Sequence, residues 1–388
     1  MKIPRKDKNE IDKRVNKSSL GLLRKNIGFW FGKNAQLKID ILLKSIIFCA
    51  MRRLYFESGL EEFAIRAKQW IPKADIIYKR IKRKTKEEII TEFMKAQDEL
   101  FSKLRKMRLL TGRVTVMIDI TEIPYWGNKN DIGVVGTKKQ RGTSYCYQYI
   151  TINIFIKGFK VCLHALPVTS FSNKAKQVDE LLKRALQKNI RIGLILMDRG
   201  FANSKIIPVI EKHNLRYLAP ITKNDKIYSI IKDLYWDKRN FNCDEITNYT
   251  FGNGVTTKLF FTLNKKKKHP SKLGEKYFSW CTNIIDINPK NREEISEIYG
   301  RRWNIENFYR DGKGNFLIRT KTKIFKVRLF FFLLTAMLYN LWQLIKVITQ
   351  KDVTAQKWKC SIYELLYSRA KIIYTLTYEQ KIWNDILS

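Results

Sequence analysis

The sequence predicts an α/β fold: a mixed β-sheet flanked by helices, preceded by a helical N-terminal region and interrupted by a β-rich insertion. Three observations carry that expectation. From residue 37 to 107 the apolar residues recur at the helical spacing i, i+3, i+4, i+7. From 113 to 221 short β-branched runs alternate with helical stretches, the pattern of a sheet whose later strands are joined by helical crossovers. Between 222 and 290 the chain turns polar and rich in Asn, Lys and aromatic residues, and then the helical period returns. With 388 residues, 45% apolar and 13% aromatic, the chain can bury the cores of two or three domains and does not have a disordered composition.

The elements follow in order. Residues 1–36 are basic with few periodic apolar positions and read as a flexible or partly helical arm. A helix over 37–57 carries Ile39, Leu42, Leu43, Ile46, Ile47, Ala50, Met51 and Leu54 on one side. Ser58-Gly59-Leu60-Glu61 has the form of a capping box and starts a second helix, which Pro72 ends. A third helix begins at Ala74 and is strongly basic, with Lys79, Arg80, Lys82 and Arg83; a fourth covers 87–107. Two short helices around a proline turn, the second of them basic, fit a helix-turn-helix DNA-binding unit within 37–110. A plain bundle with a solvated basic face has the same pattern.

The run 114–118 reads as a buried strand ending at Asp119, and 127–143 as a Gly- and Lys-rich loop. Strands at 147–156 and 159–168 flank a Lys157-Gly158 hairpin turn. A helix over 173–188 takes Ser172 as its N-cap, and a strand over 192–197 ends at Asp198. A helix over 203–213 and a strand over 216–219 complete the sheet. The insertion over 222–290 shows strand signals at 256–263 and 277–284. Helices follow over 292–313 and 327–345, and the region 347–388 is mostly helical. The core domain is therefore expected to combine 111–221 with 291–346.

Composition narrows the function. Lys+Arg is 75 and Asp+Glu is 36, a formal net charge of +39, so the partner is a polyanion. Nucleic acid is the first candidate and an anionic membrane surface the second. The six Cys are scattered without a C-x-x-C pair and the three His are isolated, which excludes zinc-finger and zinc-ribbon spacings and fits a reducing cytosol. The hydrophilic N-terminus is no signal-peptide core. The apolar segment 329–345 is 17 residues long and contains Thr335, Asn340 and Gln343, so it reads as a core helix rather than a membrane span. No G-x-x-x-x-G-K-[ST] loop occurs, which favours nucleic acid over a nucleotide as the phosphate partner.

Three carboxylates stand out. Asp119 and Asp198 each follow an apolar strand and precede a polar turn, the place where α/β sheets bind ligands, although a strand-end Asp can also simply cap a turn. Glu306 lies in IYGRRWNIENFYRDGK, where Tyr299, Glu306 and Lys313 are seven apart and Arg302 sits between. Two helical turns take about 7.2 residues, so the four share a face; an exposed i, i+4 Arg–Glu pair is the plainer account. Two Asp and one Glu suit Mg²⁺, which prefers carboxylate and phosphate oxygens. A pair of such ions about 3.5–4 Å apart stabilises both attacking and leaving oxygens in phosphoryl transfer. Glu122, three residues after Asp119, is the second-ranked carboxylate, and Asp311 is a further competitor.

At these residues the chain resembles a DDE transposase of a prokaryotic insertion sequence, of the group with a Y-x2-R-x3-E-x6-K signature (insertion sequence four-like). Tyr299, Arg302, Glu306 and Lys313 match all four positions. The block around Asp119, IDITEIPYWG, resembles the family's first-Asp pattern, Asp198-Arg199-Gly200-Phe201 resembles its D-R-G-F/Y turn, and Tyr339-Asn340-Leu341-Trp342 resembles its helix after the Glu. The resemblance covers about residues 110–346. It implies a ribonuclease-H-like catalytic fold, with Asp119, Asp198 and Glu306 holding two Mg²⁺ ions (Mn²⁺ able to substitute) and Tyr299, Arg302 and Lys313 contacting phosphates of the element's ends. It further implies strand cleavage at those ends and transfer of the freed 3′-hydroxyls to target DNA by a homodimer in the DNA complex, in a prokaryotic cytoplasm at the nucleoid. A nuclease of the same fold, or a DNA-binding protein without catalysis, remains the alternative. In the insertion, aromatics among lysines suit stacking of unpaired bases, at about 1–3 kcal/mol per base, as well as the core of a small subdomain. Trp236, in the polar run Asp233-Leu234-Tyr235-Trp236-Asp237-Lys238, is the expected stacking residue.

Overall fold

The protein is described from a computed structural model that covers residues 5–30, 39–68, 70–156, 158–237, 246–264, 273–288, 290–300, 302–349 and 353–367. Five helices come first: α1 (Arg5–Asn26), α2 (Ile39–Arg52), α3 (Phe56–Ala67), α4 (Ala74–Lys82) and α5 (Lys86–Lys106). Residues 5–26 are thus helical, one of the two readings of this segment, and packed rather than a flexible arm: Leu20, Leu22, Leu23 and Ile27 are buried, and Trp358 donates its indole N–H to Asn16. The capping box expected at Ser58 is not the start of a helix. The chain turns helical earlier, at Phe56, whose N–H is bonded to the Arg319 carbonyl. The capping box lies instead at Thr85, whose hydroxyl accepts from Glu88 N–H while the Glu88 carboxylate accepts from Thr85 N–H.

The sheet begins with β1 (Val114–Pro124), β2 (Val134–Gln140), β3 (Thr143–Ile156) and β4 (Phe159–Val168). It continues through α6 (Lys174–Gln187), β5 (Ile192–Met197), α7 (Ile207–Lys212) and β6 (Tyr217–Pro220). β1–β3 and β3–β4 are antiparallel, and β1–β5 and β5–β6 are parallel, as the alternation with helices implied. β1 does not end at Asp119: it stays paired with β3 as far as Pro124. The expected loop over 127–143 contains β2, and the N-cap of α6 is Asn173 rather than Ser172.

The insertion is not purely β. It opens with α8 (Asp225–Asp237), which contains Trp236, and continues with β7 (Thr247–Thr250), β8 (Thr256–Leu263), α9 (Leu273–Lys276) and β9 (Tyr277–Thr282). β9 pairs antiparallel with β6, so these strands extend the main sheet in the order β2-β3-β1-β5-β6-β9-β8-β7, with β4 also on β3. Tyr249, Tyr277 and Trp280 are buried there, the core role that aromatics serve, while Tyr228 and Phe278 remain partly exposed.

The helix expected over 292–313 is two helices, α10 (Arg292–Gly300) and α11 (Trp303–Phe316). α12 (Phe325–Thr349) and α13 (Ala355–Tyr367) follow. α12 is long and apolar enough to span a bilayer, but 83% of its apolar window is buried inside the protein. Three successive residues face different neighbours: Phe330 packs on Phe93 of α5, Phe331 on Phe56 of α3, and Phe332 stacks on Tyr149 of β3. A helix apolar on all sides is a core helix. Two of its polar residues, Asn340 and Gln343, serve the free edge of β4. Asn340 accepts from Cys162 N–H at 2.8 Å and donates to the Cys162 carbonyl at 2.7 Å, and Gln343 accepts from Lys160 N–H.

Candidate active site

The β1–β5 pairing brings the two aspartates together. Its last rung is Ile118 with Met197, so Asp119 and Asp198 each sit one residue beyond it, on neighbouring parallel strands. Asp119 stays on a strand because β3 continues to pair with it, opposite Thr151. Asp198 leaves its strand into a tight turn over Arg199–Phe201, closed by Phe201 N–H on the Asp198 carbonyl, and is exposed.

α11 delivers the third carboxylate. Glu306 lies in its first turn and Arg302 caps it, one residue after the break in the expected long helix. Arg302 retains helical backbone angles, so the i, i+4 relation survives. One guanidinium nitrogen lies 2.8 Å from Glu306 Oε1 and another 3.4 Å from Asp119 Oδ2. The guanidinium thus bridges the two carboxylates, and its Nε is buried without a partner. Asp119 Oδ1 accepts from Ile120 N–H at 2.8 Å. Burial pushes the Asp119 carboxyl up to about 6; the Ile120 N–H and Arg302 oppose that rise, and the nearby charges of Asp198 and Glu306 add to it.

The other signature residues are held differently. The Tyr299 ring packs edge-on against Trp280 of β9 with centroids 4.9 Å apart, and Arg302 lies 5.5 Å from its centre. Lys313 points into β1, donating to Thr121 Oγ1 at 2.8 Å and to the Glu122 carbonyl at 3.0 Å. Burial and the neighbouring Arg141 hold its ammonium down at about 8. Glu122 is not in a turn but on β1, where Thr137, Gln140 and Gln148 all donate to its carboxylate. That saturates the oxygens a metal would need. Tyr309 was missed by sequence reasoning. Its buried hydroxyl donates to the Asp119 carbonyl at 3.0 Å and is hydrogen-bonded to Thr151 Oγ1 at 2.7 Å. Its position, three after Glu306 and four before Lys313, puts it on the face already singled out.

Lys79, Lys82 and Arg83 of the basic helix are exposed. Arg80 donates to the Trp30 backbone carbonyl, and Arg83 lies 5.3 Å over the exposed Trp30 ring. Trp236 lies near the end of α8, and its side chain is outside the described residues.

The donor set of Asp119, Asp198 and Glu306 is all carboxylate oxygen, which suits a hard divalent cation. Among the described residues no group of three His, Cys, Asp or Glu side chains converges closely enough to hold one; the Arg302 guanidinium lies between Asp119 and Glu306.

Comparison with known proteins follows the same residues. The family described as "Transposase DDE domain" matches residues 110–341, more than half of the chain. Among solved structures, the chain is similar to a cryo-EM structure of piggyBac transposase in a synaptic complex with hairpin DNA. The TM-score is 0.55 at 12% identity, over 98% of this chain and 83% of that one. No curated protein matches in sequence.

Proposed function

The chain belongs to the transposase DDE-domain family, whose members carry out metal-dependent phosphoryl transfer on DNA, and from that premise we propose that Asp119, Asp198 and Glu306 are its metal-binding carboxylates. The observation that carries the reading is the register of β1 and β5, which sets two aspartates side by side at one end of a sheet, with Glu306 joined to Asp119 through Arg302. Two Mg²⁺ ions, replaceable by Mn²⁺, would supply Lewis-acid stabilisation of the attacking and leaving oxygens. The chain's own residues do the positioning. Tyr309 fixes the backbone at Asp119, and Lys313 fixes β1 beyond it. Arg302 offsets the negative charge of Asp119 and Glu306, which its two terminal nitrogens bridge, and Lys313, still protonated at neutral pH, offers a point charge.

The finer reading is an insertion-sequence transposase of the Y-x2-R-x3-E-x6-K group, acting as a homodimer on the ends of its element and on target DNA at a prokaryotic nucleoid. In it, Tyr299, Arg302 and Lys313 touch end phosphates, Lys79, Arg80 and Lys82 of α4 and Arg83 at its C-cap contribute to end recognition, and Trp236 stacks an unpaired base. The test is strand cleavage on a duplex carrying the element's own inverted repeats. Asp119→Asn, Asp198→Asn and Glu306→Gln should each reduce cleavage to background while end binding by gel shift persists, and a chelator should stop the wild-type protein. A variant that cleaves at the wild-type rate is not part of the triad.

A further inference from the structure

Beside Glu306 a cleft of about 700 Å³ runs along one face of α11, past the second half of β1 and the β2–β3 turn, to the corner between α2 and α3. Five cations line it: Arg53, Arg141, Arg310, Lys313 and Arg319. Its two carboxylates are already engaged, Glu306 with Arg302 and Glu122 with Thr137, Gln140 and Gln148. Lys313 is tied to β1, and Arg310 reaches Asp311. Arg53, Arg141 and Arg319 are exposed, and none of their guanidinium groups has a hydrogen-bond or ion-pair partner among the described residues.

The backbone gives this arrangement a cost. Arg53 and Arg141 are two of six non-glycine residues with positive φ among the described residues, at 58° and 48°. That region disfavours a long side chain, and it is kept where the surroundings or the function require it. The Arg53 corner is also fixed to the far end of the cleft, since Phe56 N–H bonds the Arg319 carbonyl and Tyr55 bridges to Arg319. Unpaired arginines held together on a rigid wall repel each other and gain by binding a chain of phosphates, whose oxygens their forks fit.

We propose that this cleft holds the phosphodiester backbone of a DNA strand running from Glu306 to the α2–α3 corner, with Arg53, Arg141 and Arg319 as its phosphate contacts. The inference deepens the proposed function and rests on Glu306 being at the reacting end. The corner of the N-terminal helices is then part of the DNA path near the active centre, separate from the basic helix α4.

The test is the salt dependence of binding of the full chain to end duplex, followed by fluorescence anisotropy. The triple variant Arg53→Asn, Arg141→Asn, Arg319→Gln removes the charges with residues that keep a polar side chain, and Asn tolerates the left-handed region better than Arg. Each lost phosphate contact should lower the slope of log K against log salt by about 0.9, so the triple should lose about 2.7. A control of equal charge change, Lys174→Gln, Lys176→Gln, Lys212→Gln on α6 and α7, should leave the slope unchanged, and Arg-to-Lys at the three cleft positions should retain it. An unchanged slope in the cleft triple, or an equal fall in the control, overturns the proposal. Should the neutral triple fail to fold, loss of slope in the folded Arg-to-Lys triple would overturn it, because charge is then not what the positions supply. The two readings fail separately. A protein that shows the slope change yet never cleaves end DNA keeps the cleft and loses the transposase triad, whereas cleavage with an unchanged slope does the reverse.

Discussion

Tyr309 contributes one hydroxyl, and that hydroxyl joins three elements: α11 through its own ring, β3 through Thr151 and β1 through the Asp119 carbonyl. Tyr309→Phe should therefore cost about 1 kcal/mol of stability, the usual net worth of a buried hydrogen bond, and slow strand cleavage about tenfold, which is 1.4 kcal/mol on the barrier. End binding should be unchanged, and equal cleavage rates in single-turnover assays would deny Tyr309 a positioning role. His164 acts on stability alone. It is buried on β4, and burial, followed by the Arg184 charge, lowers its pKa from 6.5 to about 4. Between those values the unfolded chain binds the proton and the folded chain does not, so stability is full above pH 6.5 and falls as pH drops toward 4. The loss is on the order of 3 kcal/mol. His164→Gln should flatten the acid limb of a stability-against-pH curve measured by denaturant unfolding. At this scale the sequence was legible where chemistry and spacing coincide, as for Asp119, Asp198, Arg302 and Glu306. It was silent on Lys313 turning inward to Thr121 and on the three donors that occupy Glu122, because these depend on cross-strand register.

At the scale of elements, Asn340 shows why a polar residue sits in the most apolar helix of the chain. Its amide completes the free edge of β4 at both backbone groups of Cys162, a position that would otherwise leave an N–H and a C=O buried and unpaired. Asn340→Leu keeps the helix and loses both bonds, so it should cost about 2–6 kcal/mol, at about 1–3 kcal/mol per orphaned group. Asn340→Ser, able to restore one bond through water, should fall between; a Leu variant as stable as wild type would remove the edge-capping account. Elements with a strong period were readable from the sequence, β4, β5 and β8 to the residue. Those set by tertiary contacts were not. β1 runs five residues beyond the apolar run read as a strand end at Asp119 because β3 pairs with it, α3 starts early because Arg319 caps Phe56, and the helix carrying the signature breaks between Gly300 and Trp303.

For the whole molecule, the expected boundary near residue 110 separates sequence patterns but not cores. α12 is packed on the N-terminal helices through Phe330 and Phe331 and on the sheet through Tyr149 and Asn340. Phe29 adds a further contact on Phe330, and Arg184 of α6 pairs with Asp98 of α5. The basic helix α4 and the carboxylates proposed as metal ligands thus stand on one shared core, in a chain whose net charge is +39. A fragment covering 108–388 would bare the faces of α12 that Phe56 and Phe93 cover, an apolar surface of a kind that folded monomers rarely expose. It should give no cooperative thermal transition and bind a hydrophobic dye, whereas the full chain melts as one unit. Supplying residues 1–107 as a separate chain should restore the transition, because the contacts removed are packing and not covalent. A fragment that melts cooperatively by itself would show that the sheet domain needs no N-terminal helices, and that their packing on α12 is docking between two independent units.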